Sequence, residues 1–190
     1  ARTNPGVSDR VRDHEPRCDA TLKRSSVTLH PPRSVIDEKA ATSMSSLPRV
    51  FLRARSARPF FARHPWVFAS SVEKVAGDPG PGAEVDVVTH DGVFIARGLF
   101  NPHSGIRVRL YRWDAGAIDD DFLTRQIQSA IQWREAGLGL GGEQSAYRAI
   151  FSESDGLSGL TVDRFDRWLV VQFGGLGLFD RRDSIFKALT

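Results

Sequence analysis

EVDVVTHDGVFIARGLFNPHSGIRVRLY, residues 84–111, decides the fold. Three short apolar runs, Glu84–Thr89, Val93–Gly98 and Ile106–Tyr111, are separated by turn signals and predict three successive strands. His90-Asp91-Gly92 forms the first turn, because Asp-Gly tolerates the positive φ angles of a tight hairpin. Asn101-Pro102 marks the second, with an asparagine suited to satisfying local backbone donors. Arg107 and Arg109 are two residues apart, so on a strand they share a face.

Upstream, RVFLRARSARPFFARHPWVFASSV (residues 49–72) holds five arginines, one histidine, five aromatics and no acidic residue. Val50, Leu52 and Ala54 alternate with Arg49, Phe51, Arg53 and Arg55, which predicts a first strand with one arginine-rich face. Pro59 opens a short helical turn that ends before Pro65. GDPGPG, residues 77–82, is a loop. The result is a β-rich unit over residues 47–112.

At 190 residues the chain accommodates one or two small domains. The formal net charge is only +3, but residues 1–49 carry 9 basic and 6 acidic groups, residues 50–112 carry 9 and 5, and residues 113–190 carry 8 and 12. A basic front and an acidic rear place an anionic partner on the front half. The single cysteine, Cys18, can form no internal disulfide and has no ligand-spaced neighbours for zinc, so a reducing, cytoplasmic setting without a metal is expected. No run approaches the roughly 18 apolar residues that span a bilayer, and no membrane partner is expected.

Residues 1–46 mix Arg, Asp, Ser, Thr and Pro without a sustained apolar period and are expected to form a disordered N-terminal extension. The only methionine, Met44, sits just before the first segment of folded character and is expected to be the biological start. A second unit, residues 113–190, opens with a helix capped by Asp119 or Asp120, whose apolar face is Phe122, Leu123, Ile127, Ala130 and Ile131 and which stops at Gly137. Tyr147–Phe151, Leu160–Asp163 and Trp168–Phe173 read as strands, with turns at Asp155–Gly159 and Asp166-Arg167. Asp180 or Asp183 starts a last helix, read as cut short at Thr190. The fold class is α+β.

Guanidinium forks match phosphate oxygens, and aromatic rings meet unstacked bases, so the mixture in residues 49–72 suits an RNA-contacting surface. Within it, Arg53, Arg55, Arg63 and His64 are candidate contacts. Trp66 and Phe68 are expected in the core, and Arg63 is balanced between phosphate or ligand contact and plain solvation. Arg97, Asn101, Ser104, Arg107 and Arg109 extend the candidate set, with Arg107 and Arg109 tracking a phosphate backbone; the rival reading is a solvated sheet face. Glu153, Asp155 and Asp163 suggest acid–base work or a hard metal site, but Asp-Gly and Ser-Gly turns account for them better. GLGLGG, residues 137–142, is followed by no helix-opening fingerprint, and no phosphate-cradling lysine loop, HExxH or serine elbow is present.

Four motifs in register, RHPWVFASSV, DGVFIARGLFNPHSGIRVRLY, AIDDDFLTRQIQSAIQWRE and YRAIFSESDGLSGLTVDRFDRWLVVQF, together resemble the S-adenosylmethionine-dependent methyltransferases that modify C5 of a cytosine in 23S rRNA. The resemblance runs from about Pro48 to the C-terminus. It implies a PUA-like β pseudo-barrel that binds RNA, followed by the start of a small α+β central domain. In that family the S-adenosylmethionine site and the catalytic cysteine lie in a following Rossmann-like domain, which is expected to be absent here. There the cysteine thiolate adds to cytosine C6, C5 takes the methyl group, and a base removes the C5 proton from a flipped nucleotide. Cys18 lies upstream of the matched region and inherits no such role. These 190 residues are therefore expected to bind RNA, with no bound cofactor and no catalytic residue of their own. Where related sequences read DGLPGL, this chain has Ser158, and a less rigid loop is expected. The competing readings are a free-standing PUA-type RNA-binding module and a PUA-like domain turned toward protein or small-molecule binding.

Overall fold

The computed structural model describes residues 47–142 and 145–190; the expectations for residues 1–46, Cys18 and Met44 included, lie outside the described residues. The first half is β1 (Arg49–Leu52), α1 (Arg58–Phe61), β2 (Trp66–Phe68), β3 (Val72–Ala76), β4 (Glu84–Val88), β5 (Phe94–Phe100) and β6 (Ile106–Arg112). They form one six-stranded sheet in the order β2-β6-β5-β4-β1-β3, with β1 and β4 parallel and the other pairs antiparallel.

The two edge strands, β2 and β3, are joined by a single 3₁₀ turn over Ala69–Ser71. Three residues reach roughly 10 Å when fully extended, whereas neighbouring strands alone stand about 4.8 Å apart. A six-stranded sheet can satisfy that connection only by curling until its edges meet. Ser71 O accepts from Arg53 N and Ala69 N donates to Gly105 O, both at 2.9 Å, so the turn is fastened to both sides of the seam. Val50, Leu52, Val67, Val85, Val87, Ala96 and Val108 fill the interior with no measurable exposure, together with Phe60, Phe100 and Leu110.

Three strands differ from expectation for local reasons. β1 stops at Leu52, and Arg55 takes a left-handed backbone (φ 68°) in the turn that redirects the chain toward α1. Arg53 and Arg55 thus lie on a turn, not on a strand face. β2 and β3 escape the periodicity argument because β2 has three residues and β3 is exposed along most of its length.

The second half contains α2 (Asp120–Gln132), β7 (Ala146–Phe151), β8 (Leu160–Phe165), β9 (Trp168–Phe173), α3 (Leu176–Phe179) and α4 (Arg182–Leu189). β7, β8 and β9 form an antiparallel sheet in sequence order. Asp119 caps α2 by accepting from Phe122 N (2.8 Å), and a π-helical turn over Trp133–Gly137 ends it. Phe122, Leu123, Ile127, Leu157, Leu160, Val162, Leu178 and Ile185 form a second core. Leu99 of β5 and Tyr111 of β6 also belong to it, so these two strands serve both cores. Gly177 allows α3 to lie on Leu99: a Cβ there would stand 2.6 Å from the leucine Cβ. Among the described residues no helix is long and apolar enough to cross a membrane.

Arg97 needs a correction. It lies opposite Asp86 on β4 and is buried, with Nε 2.8 Å from Asp86 Oδ1, Nη2 3.3 Å from Asp86 Oδ2, and Nη1 donating to Ala115 O at 2.6 Å. An arginine so enclosed is a structural ion, not a surface for RNA. Its Nε also lies 3.6 Å from Glu84 Oε1, and losing a buried cation that serves two carboxylates is destabilising, so Arg97→Met is expected to cost about 3–5 kcal/mol in denaturant unfolding, and Arg97→Met with Asp86→Leu less.

Candidate nucleic-acid interface

The barrel seam carries a cleft of about 360 Å³ lined by Phe60, His64, Trp66 and Phe68, with Arg55, Ser56, Pro59 and Ser71 completing it. Strand alternation puts these aromatics there. Val67 turns fully into the core, so its neighbours Trp66 and Phe68 share the opposite face. The expectation of core positions is therefore corrected: Phe68 is 43% exposed and Trp66 partly so. The rings of His64 and Trp66 meet at 6.1 Å and 90°, and those of Trp66 and Phe68 at 6.3 Å and 87°. Such edge-to-face contacts suit the aromatic quadrupole. His64 Nδ1 accepts the Trp66 backbone N–H at 3.2 Å.

Four exposed arginines, Arg53, Arg55, Arg58 and Arg63, stand on the segment that forms this cleft. Among the described residues none of the four has a carboxylate within ion-pair distance. Arg55 and Arg63 have φ of 68° and 63°, one on either side of α1. The left-handed region costs an L-residue roughly 1–2 kcal/mol. Strain of this kind clusters at ligand-holding sites. The Arg63 guanidinium lies 5.7 Å from the ring of Trp113, whose Nε1 donates to Phe60 O at 2.7 Å. Cations without counter-charges around an aromatic cleft can hold phosphates beside an unstacked base. Arg58 belongs with Arg53, Arg55 and Arg63, although the spacing arguments had not singled it out.

The hairpin candidates are differently engaged. Arg107 Nη1 donates to Pro102 O, Asn101 Oδ1 accepts from His103 N (3.0 Å), and Ser104 Oγ accepts from Ile106 N (3.1 Å). All three hold their own turn. Arg109 leaves that surface: its side chain is 18% exposed, and Nη1 donates to Glu153 Oε1 (3.3 Å) and Ser158 Oγ (3.0 Å), while Nη2 donates to Gly174 O (3.1 Å). Arg107 and Arg109 therefore do not form a pair of guanidiniums tracking a phosphate backbone, because each is turned toward different acceptors of the chain itself.

Trp66 joins the same clasp. Its Nε1 is 2.9 Å from Glu153 Oε1 and 3.2 Å from Ser158 Oγ, and the Arg109 guanidinium lies 5.8 Å from its ring. Ser158 is 1% exposed; its hydroxyl donates to Glu153 at 2.9 Å, and its carbonyl accepts from Tyr111 Oη at 2.7 Å. The expected loosening at this serine is not what its surroundings indicate, since the hydroxyl adds bonds that a proline ring lacks. Burial pushes the Tyr111 hydroxyl up, which keeps it a neutral donor. The acidic turn is structural: Asp155 pairs bidentately with Arg134 (3.0 and 2.9 Å) and Asp163 with Arg148 (2.8 and 3.1 Å). No group of three or more metal-ligating side chains occurs among the described residues.

Partial burial pushes the Glu153 carboxyl up, but hydrogen bonds from Ser152, its own backbone N–H, Ser158 and Trp66 outweigh it and hold the group below the ordinary glutamate range. A carboxyl with a lowered folded value stabilises above its unfolded value, and that contribution disappears as pH falls through the folded one. Thermal stability is therefore expected to keep this contribution at neutral pH and lose it under acid. Glu153→Gln is expected to flatten that part of a melting-temperature profile between pH 7 and pH 3.

Residues 50–113 match the family described as PUA-like domain. The chain is 39% identical over 149 residues to ribosomal RNA large subunit methyltransferase I of Salmonella schwarzengrund, covering 78% of this chain and 37% of that protein. The protein of the same name from Salmonella paratyphi C is 40% identical over 143 residues, covering 75% and 35%. The chain thus spans little more than a third of the length of the curated relatives it matches. A candidate SAM-dependent methyltransferase of Streptococcus mutans shares the fold (TM-score 0.62, 11% identity, 74% of this chain and 36% of that one). A candidate methyltransferase solved with SAH does so as well (TM-score 0.61, 13% identity, 74% and 36%). Residues 50–113 are a PUA-like domain, and the chain is a partial match to ribosomal RNA large subunit methyltransferase I.

Proposed function

We propose that residues 47–190 form the N-terminal RNA-binding portion of an S-adenosylmethionine-dependent rRNA methyltransferase, acting in the cytoplasm on a cytosine of 23S rRNA. The observation that carries this reading is the seam cleft: Arg55 lines it beside His64, Trp66 and Phe68, and Arg53, Arg58 and Arg63 are exposed on the same segment, all four without carboxylate partners among the described residues. In this reading the arginines take phosphates, and Trp66, Phe68 and His64 receive an unpaired base. Residues 47–112 are the RNA-binding domain, and residues 113–190 begin a central domain that orients it.

Methyl transfer is assigned to a Rossmann-like domain outside these residues. In support of that division, Gly174-Gly175 leads only into α3, a helix of four residues, and Gly174 N already donates to Gly159 O at 2.7 Å. A glycine loop that cradles an anion needs a longer helix and free backbone donors behind it. No step of the reaction is therefore assigned to side chains described here, whose contribution is affinity and orientation.

Binding of the 190-residue chain to 23S rRNA fragments is expected to weaken steeply with salt, because phosphate contacts release counterions. Arg58→Gln and Arg63→Gln are each expected to weaken it across sequences and reduce the salt slope by about 1, leaving thermal stability nearly unchanged. Absence of binding at low salt, or indifference to both substitutions, would overturn the assignment and favour a protein or small-molecule ligand. Incubation of the chain with labelled methyl donor and rRNA is expected to transfer no label; transfer above background would refute the division of labour.

A further inference from the structure

We propose that Glu153 and Ser158, which belong to the second half of the molecule, are positioning residues for the base-binding cleft, because they fix the indole plane of Trp66. The inference rests on the reading of that cleft as an RNA site. Trp66 occupies two places at once. Its ring lines the cleft beside His64 and Phe68, while its Nε1 reaches across to Glu153 Oε1 at 2.9 Å and Ser158 Oγ at 3.2 Å.

The Trp66 ring stands on a three-residue edge strand, met edge-on by His64 and Phe68 at 6.1 and 6.3 Å, contacts that leave the direction of its N–H bond open. Here the direction of the N–H bond is set by two acceptors that are themselves fixed. Glu153 Oε1 also accepts from Ser158 Oγ (2.9 Å) and Arg109 Nη1 (3.3 Å), and the Ser158 carbonyl is held by Tyr111. Such a network removes rotational freedom from the ring before a base arrives, and affinity gains from preorganisation. The junction between the two halves thereby becomes part of the recognition element. Loss of the junction would lower affinity for a base without touching any phosphate contact.

Glutamine separates geometry from charge. Glu153→Gln keeps an oxygen able to accept from Trp66 and Ser158 but removes the negative charge, whereas Glu153→Ala removes both. The test is titration of the 190-residue chain with a single-stranded RNA of about twelve nucleotides, over a range of salt, for the unmodified chain, both Glu153 variants, Trp66→Phe and the Trp66→Phe/Glu153→Ala double variant. Glu153→Ala is expected to weaken binding by about tenfold with an unchanged salt slope. Glu153→Gln is expected to stay within about twofold of the unmodified chain. The double variant is expected to be no weaker than Trp66→Phe alone, since both changes break one interaction. In ¹⁵N NMR the Trp66 indole N–H signal is expected to shift or broaden in Glu153→Ala and to persist in Glu153→Gln.

Unchanged or tighter binding in Glu153→Ala, a loss as large in Glu153→Gln, or additive losses in the double variant would overturn the positioning role while leaving the RNA reading intact. Failure of the unmodified chain to bind any RNA would overturn the reading and the inference together.

Discussion

The connection of β2 to β3 through Ala69–Ser71 is the constraint on which the rest of the first half depends. Two strands at opposite edges of a six-stranded sheet cannot be three residues apart unless the sheet closes on itself. Closure leaves β2 only three residues long, and in so short a strand alternation admits one inward side chain. Val67 takes that place, and Trp66 and Phe68 must face the other way. α1 has to pass from the end of β1 to the start of β2 at the same seam, and it is bounded by left-handed residues on both sides. The aromatic cleft is thus a consequence of how the barrel closes.

Electrostatics divides the arginines into two populations. Arg97, Arg109, Arg134, Arg148 and Arg164 each meet a carboxylate, and most are partly or fully buried, where an unpaired charge would be costly. Arg53, Arg55, Arg58 and Arg63 are exposed, where hydration satisfies a guanidinium and a partner can be exchanged for phosphate. At the seam, the basic surface available to an anion is the second population.

The two halves are joined through β5 and β6, whose faces serve different cores. Ala96, Phe100, Val108 and Leu110 fill the barrel, while Leu99 and Tyr111 enter the core built around α2 and α4. Around this shared pair lies the clasp of Trp66, Arg109, Glu153 and Ser158, which ties the barrel to the turn before β8. Serine suits the position between Leu157 and Gly159 because its hydroxyl accepts from two donors and gives its own proton to Glu153. The side chain is buried and its polar atoms are matched, the condition under which burying a hydroxyl carries little cost.

Local chemistry alone was enough to read the strands between Glu84 and Tyr111, the Asp-Gly hairpin, the capped helix with its face of Phe122, Leu123 and Ile127, and the acid-free stretch of residues 49–72. These depend on periodicity, turn preferences and capping, which act within a few residues. β2 and β3 were not legible, being too short or too exposed to carry a period. Nor could sequence separate Arg97 and Arg109 from the arginines of the seam, since all lie in basic, apolar surroundings along the chain. What assigned them was proximity across the fold: Arg97 lies 2.8 Å from Asp86, 11 residues away along the chain, and Arg109 3.3 Å from Glu153, 44 residues away. By itself, then, the sequence determined the elements and the presence of a basic, aromatic surface. Only the tertiary structure decided which cations are neutralised and which remain free, because a counter-charge is chosen by proximity in space and not along the chain.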